Sequence, residues 1–243
     1  MKRGLSQEGL KTIACVAMLI DHIGAVLILG FMENTSVGTN RRFWMELYEI
    51  LRTVGRLAFP IYCFLLAEGI HHTRNPKKYG LRLAIAAVLS ELPYDLAFHW
   101  EWYWGSQNVM VTLLLGFCAL EGMKKCPKLW QKLLLSVPFM LLADLLNTDY
   151  GAKGVMLIVL FALTRELPHK ELWQFLGIWF VFSPGHRMVL NWLGGISFTI
   201  QEWAVLAMIP ISLYSGEKRS RSRVLQWAFY LFYLVHLLAL WLV

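Results

Sequence analysis

Met18-Leu19-Ile20-Asp21-His22-Ile23-Gly24 places an acid beside an imidazole in the middle of an apolar run that extends over residues 10–31. That run is long enough to cross a bilayer, which takes roughly 20 apolar residues. An ionisable pair at such depth is costly if it faces lipid, so both groups are expected to face protein or a wet cavity. Two readings stay open. One is a functional site, since an acid and a histidine bring charge and a proton acceptor near neutral pH. The other is a buried pair that only holds helices together.

Outward from this stretch the composition agrees. Of 243 residues, 57% are hydrophobic and 16% charged, with a mean hydropathy of +0.50; a soluble domain carries about 25% charged residues. The expectation is an all-α, polytopic transmembrane helix bundle forming one domain over residues 1–243 in the cell (cytoplasmic) membrane. The net charge of +7 points to no nucleic acid, because Lys and Arg of membrane proteins gather in cytoplasmic loops. Met1-Lys2-Arg3 starts like a signal peptide. The apolar run is too long, though, carries Asp21-His22, and is not followed by a small-residue cleavage site, so it reads as an uncleaved first span. Cys15, Cys63, Cys118 and Cys126 form no CxxC pair and no zinc spacing, so free thiols and no metal are expected.

About nine spans fit the apolar runs: 10–31, 50–70, 81–98, 108–123, 133–146, 152–163, 172–182, 198–214 and 224–243. Residues 43–48 read as an amphipathic interfacial piece, and Trp100-Glu101-Trp102-Tyr103-Trp104 as an interfacial aromatic belt. Every second connection is basic: the N-terminus, 71–82, 124–132, 164–170 and 216–223. The positive-inside bias then puts the N-terminus in the cytoplasm and the C-terminus outside.

With that orientation the polar residues within the spans sort by depth. Asp21, His22, Arg52, Arg56, Glu91, Asp95, Asn108, Thr112, Asp144 and Asp149 fall between mid-membrane and the outer surface. Arg52 and Arg56 share a helix face at i,i+4, as do Glu91 and Asp95. The two acids would repel unless cations met them, and the two arginines are the obvious partners. An acid from another span could fix the tautomer of His22, because adjacent helix residues point about 100° apart. At the inner end, Glu68, His71, His72, Arg74, Asn75, Lys77, Lys78, Tyr79 and Arg82 gather where cationic donors could hold phosphates. Basic residues there also serve topology alone.

The blocks Leu10-Lys11, 18–24, Gly55-Arg56-Leu57-Ala58-Phe59-Pro60-Ile61, Glu68-Gly69, His72-Thr73-Arg74-Asn75, Lys78-Tyr79, Ser90-Glu91-Leu92-Pro93-Tyr94-Asp95, Asn108-Val109, Thr112-Leu113 and Asp149-Tyr150-Gly151-Ala152 resemble the TraX family. That family is named for the conjugative pilin acetylase, which acetylates the pilin N-terminus. The resemblance covers most of the chain and is strongest over residues 10–155. It implies an integral-membrane N-acetyltransferase using acetyl-CoA as cosubstrate, similar to the broader transmembrane acyltransferases in which a histidine is taken to be catalytic. His22, with Asp21, fits that role.

The resulting expectation is transfer of an acetyl group from cytosolic acetyl-CoA, its phosphates held by the inner basic set, to an amine or hydroxyl. The acceptor, a pilin-like peptide or a small envelope molecule, would enter a cavity on the outer side. Arg56 and Asn108 are candidate oxyanion donors. A proton-coupled transporter is the rival from another class, since membrane acids and histidines also build proton relays; no repeat between the halves supports it. A non-catalytic envelope assembly factor is the third reading.

Overall fold

The computed structural model describes residues 4–34, 40–183, 200–217 and 222–243. The N-terminal Met1-Lys2-Arg3, the start of the eighth span and the basic residues Lys218, Arg219 and Arg221 lie outside them.

Helices carry nearly all of the described residues. The first begins where Ser6 caps it, its side chain accepting from Gly9 N at 3.2 Å, with Glu8 in the favourable first turn. It runs as α1 (Gln7–His22), a π-helical stretch (Ile23–Ile28) and α2 (Leu29–Asn34). Then follow α3 (Arg41–Gly55), α4 (Ala58–His72), α5 (Pro76–His99), α6 (Val109–Met123), α7 (Leu129–Leu145), α8 (Gly151–Thr164) and α9 (Lys170–Phe182). A 3₁₀ stretch (Ile200–Ala207), α10 (Met208–Ser212) and α11 (Arg223–Trp241) complete the order. The remaining side-chain caps follow the same rule: Asn75 starts α5 ahead of Pro76, Asn108 starts α6 and Ser222 starts α11.

Two expectations change here. The second span is not one run over 50–70: α3 begins at Arg41, absorbs the piece expected to lie in the interface, and breaks at Arg56-Leu57 before α4. Of nine expected spans, three helices among the described residues are long and apolar enough to cross a membrane: Gln7–Asn34, Arg41–His72 and Val224–Trp241. The other apolar helices are shorter; α6, with 15 residues, measures roughly 22 Å at the α-helical rise, against a hydrocarbon core of about 30 Å.

The core centres on α4, buried from Ala58 to Ile70 over most of its surface, between α1, α6 and α8. α11 lies against α5 and α1 and buries the stripe Tyr233, His236, Leu237 and Leu240, an i, i+3, i+4, i+7 face. Outward, apolar side chains stay exposed on α5 (Val88), α7 (Leu134, Leu145), α9 (Phe180) and α11 (Val235). An apolar exterior of this extent is what a lipid-facing bundle presents. Two short tethers fix the connections. Leu5 N donates to the Leu213 carbonyl and the Leu5 carbonyl accepts from Ser215 N, while Gln107 bonds to Asn147 and Asp149, so the α7–α8 turn is held against the start of α6.

Candidate functional site

Asp21 and His22 close α1 and, though adjacent, turn to different partners. Asp21 sits between two guanidiniums: Arg52 Nη1 donates to Oδ2 at 2.7 Å and Arg56 Nη2 to Oδ1 at 2.5 Å. Arg56, at the helix break, also donates from Nε to the Arg52 carbonyl at 3.2 Å and is only 5% exposed. The close approach of α3 to α1 needs Gly55, because a Cβ there would stand 2.1 Å from Asp21 Oδ1. The expected pairing of these arginines with Glu91 and Asp95 is therefore corrected: their carboxylate is Asp21.

Glu91 instead accepts from the Asn108 side-chain amide, which also donates to the Ala87 carbonyl at 2.9 Å. Asn108 Oδ1 meanwhile accepts from Met110 N at 2.9 Å. Both amide hydrogens are engaged, so Asn108 caps α6 and ties it to α5, and the expectation of an oxyanion donor falls away. Asp95 Oδ2 accepts from Tyr103 N at 3.2 Å. Asp144 Oδ1 accepts from Ala152 N at 2.6 Å at the start of α8. Thr112 is fully buried, donating to the Asp149 carbonyl and sharing a 2.9 Å hydrogen bond with Thr148 Oγ1. Of the outer set, Arg52, Arg56 and Asp149 reach the cavity beside His22, while Glu91, Asn108, Thr112 and Asp144 hold the helices that frame it.

The partner of His22 comes from the far end of the chain. Its Nδ1 lies 2.7 Å from His236 Nε2 on α11, the rings nearly parallel at 11°. His236 Nδ1 in turn lies 2.7 Å from the Phe232 carbonyl. Phe98 packs edge-on against the His22 ring with centroids 5.3 Å apart.

Beside His22 is a cavity of about 250 Å³, walled by Asp21, Arg52, Arg56, Asp149 and the aromatic rings of Tyr62, Tyr94 and Tyr150. Tyr150 is in the left-handed region (φ 66°), unusual for a bulky residue, and is stacked on Phe59 at 3.7 Å between centroids. A second cavity adjoins this one, and a third adjoins the second. A narrow apolar one of about 100 Å³, lined by Leu65, Leu83 and Leu113, shares Met18, Tyr62 and Val109 with it. A mouth of about 210 Å³ shares Gln7, Lys11, Tyr79 and Tyr230 with the apolar one and adds His72, Thr73, Arg82 and Gln226.

Of the inner set, His72, Tyr79 and Arg82 line that mouth. The Arg82 guanidinium lies 5.6 Å from the Tyr79 ring centroid, and its buried Nε has no hydrogen-bond partner among the described residues. Glu68 is held by Arg165 at 2.7 Å and His72 at 3.3 Å. Asn75 caps α5, His71 lines a separate cavity with Lys124, Lys132 and Arg165, and Arg74, Lys77 and Lys78 are exposed. Tyr62 and His236 went unread in the sequence, and Lys11 and Tyr150 entered it only as members of the family blocks. Only His236 carried a signal, as an ionisable residue in an apolar run, the same signal that singled out His22.

The sequence model of the family described as TraX protein matches residues 6–243. The chain belongs to the TraX family. A relative within reach of this TraX chain is the "Probable fimbrial assembly protein FimC, serogroup H1" of Dichelobacter nodosus, 31% identical over 239 residues, or 94% of this chain and 91% of that one. An uncharacterized protein of Rickettsia prowazekii (strain Madrid E), RP591, is 30% identical over 112 residues, 46% of this TraX chain and 35% of its own length. No solved structure matches.

Proposed function

We propose that this TraX chain is a multi-pass membrane acetyltransferase. In this reading it moves an acetyl group from cytosolic acetyl-CoA to an amine or hydroxyl of an acceptor on the outer side of the membrane. The observation that carries it is the row of three adjoining cavities leading from a basic mouth, through an apolar throat, to His22. Each part suits one part of the thioester. Lys11 and Arg82 suit the phosphates, and the leucine-lined throat suits the pantetheine arm. His22 stands at the end, where acyl transfer needs a base. The eleven residue steps along α1 from Lys11 to His22 rise about 16 Å, close to the reach of an extended pantetheine arm. The start of α1 is then cytoplasmic, as the positive-inside bias requires.

In the transfer, the acceptor nitrogen or oxygen attacks the thioester carbonyl while His22 Nε2 removes its proton. A bond from carbon to acceptor forms, the carbon–sulfur bond breaks, and the CoA thiolate takes the proton back from His22. General-base catalysis supplies typically 10²–10⁴-fold, so orientation and charge stabilisation supply the rest. Arg56 has five N–H donors and two are engaged as described, which leaves donors for the carbonyl oxygen that becomes charged. A protein N-terminus, as in a pilin-like peptide, is the acceptor favoured by the name of the Dichelobacter relative.

The test is purified protein in lipid nanodiscs with labelled acetyl-CoA and candidate pilin N-terminal peptides. Label is expected on the peptide with the wild type and lost with His22→Ala. A fully active His22→Ala protein removes the role of His22. Pilus assembly that depends on Asp21 and His22 with no acetylation at any stage favours the assembly-factor reading suggested by the same relative's name. Substrate flux into proteoliposomes without CoA favours a transporter.

A further inference from the structure

We infer that His236 is the positioning residue of His22: it decides which His22 nitrogen carries hydrogen and receives the proton His22 collects. The inference rests on His22 acting as the base proposed above. It starts from an atom that has only one option. The Phe232 carbonyl oxygen can only accept, so His236 Nδ1, 2.7 Å away, carries the hydrogen. A neutral imidazole has one N–H, so His236 Nε2 holds a lone pair. That lone pair faces His22 Nδ1 at 2.7 Å, which makes His22 Nδ1 the donor and leaves His22 Nε2 bare. One backbone carbonyl on α11 thus fixes, through two rings, the basic nitrogen of a residue on α1.

The acid beside His22 does not do this: Asp21 accepts from Arg52 and Arg56, while His22 Nδ1 faces His236. The same two arginines line the cavity with His22, whereas His236 is not on its wall. A proton left on His22 would share that cavity with two guanidiniums. The chain offers a shift that relieves this. The acceptor's proton arrives at His22 Nε2, and the Nδ1 hydrogen of His22 crosses to His236 Nε2. His22 is then neutral with hydrogen on Nε2, and the positive charge rests on His236. When the CoA thiolate takes the Nε2 hydrogen, His236 returns its proton to His22 Nδ1. Across the cycle one acceptor hydrogen becomes the thiol hydrogen and both rings end as they began.

The experiment uses the full chain in nanodiscs, labelled with ¹⁵N-histidine, with His22 and His236 signals assigned by difference from His22→Ala and His236→Phe. The wild type is expected to show His22 with a protonated, hydrogen-bonded Nδ1 and an unprotonated Nε2. In His236→Phe, which keeps a ring between Phe98 and α11, that signature is lost. There kcat falls about 10²-fold, the low end of what a general base supplies, with KM for acetyl-CoA unchanged. In His236→Gln, whose side-chain carbonyl accepts from Nδ1–H but cannot carry the proton, the His22 signature returns and kcat recovers only in part. Should His236→Phe fail to fold, the Gln variant carries the test.

Hydrogen on His22 Nε2 in the neutral wild type overturns the inference, as does a His236→Phe protein with wild-type kcat. The expected signature in a wild type that transfers no acetyl group removes the enzyme reading and supports the assignment of the nitrogens.

Discussion

Asp21→Asn removes the carboxylate that accepts from Arg56 while preserving shape, and leaves Asp149 as the other acid on the same cavity wall. Asp21 uses both oxygens, one for each arginine. The two arginines are not equal, because the Arg52 side chain is 23% exposed and that of Arg56 only 5%. Arg52 can swing into water when the carboxylate charge disappears; Arg56, buried and bonded to the Arg52 carbonyl, cannot. Breaking a buried pair by removing one partner costs about 3–5 kcal/mol, chiefly for the charge left behind. Asp21→Asn is therefore expected to lose that amount, nearly all of it through Arg56. Arg56→Met in the same protein removes the stranded charge, so the double variant is expected to be more stable than Asp21→Asn alone, with a coupling of about 2–3 kcal/mol in the cycle. Reversible unfolding in mixed detergent, followed by tryptophan fluorescence, measures all four proteins. A loss below about 0.5 kcal/mol for Asp21→Asn, a value ordinary for a surface change, refutes the reasoning, and so does a cycle that is simply additive.

Gly55→Ala should destabilise by about 1–3 kcal/mol through overpacking, since the new methyl has to displace Asp21 or part α1 from α3; thermal unfolding reads it. Asn108→Ala should cost about 2–4 kcal/mol by the same measurement, from a lost cap and from buried partners left unsatisfied. Asn108→Asp keeps the cap but sets a second carboxylate against Glu91, and is expected to be worse still. Lys11→Gln and Arg82→Gln should raise KM for acetyl-CoA several-fold and leave kcat alone, the mark of lost uniform binding. Acetyl-pantetheine, which lacks the phosphates, should not register either change.

Much of the helical order was legible because apolar runs and caps are local. Seven of the nine expected runs coincide with helices to within a few residues, from 10–31 within Gln7–Asn34 to 224–243 over α11. The second run failed at Arg56-Leu57, four residues before Pro60, which has no N–H for the Arg56 carbonyl and crowds it; the pairing of Arg56 with Asp21 at that break is what no local pattern carries. The site was legible as residue types and not as pairings. Asp21 and His22 announced themselves as polar groups amid apolar ones, but their partners lie 31, 35 and 214 positions away. Spacing on a helix favoured Arg52 and Arg56 with Glu91 and Asp95, and the fold chose otherwise because α3 packs on α1, Glu91 meets the start of α6 and Asp95 meets the loop at Tyr103. The inner basic set was over-read for the same reason. Charge alone does not separate Arg82, turned into the mouth, from Lys77 and Lys78 on the outside.

The π-helical turns directly after His22 give the first helix a place where its length can change harmlessly. A residue lost or gained between Ile23 and Ile28 alters only the winding there and is taken up before Leu29. The same event between Lys11 and Asp21 would swing the His22 ring by about 100° around the axis and off the ring it rests against. Insertions and deletions among relatives should accordingly gather on the far side of His22, leaving the count from the basic mouth to the imidazole unchanged.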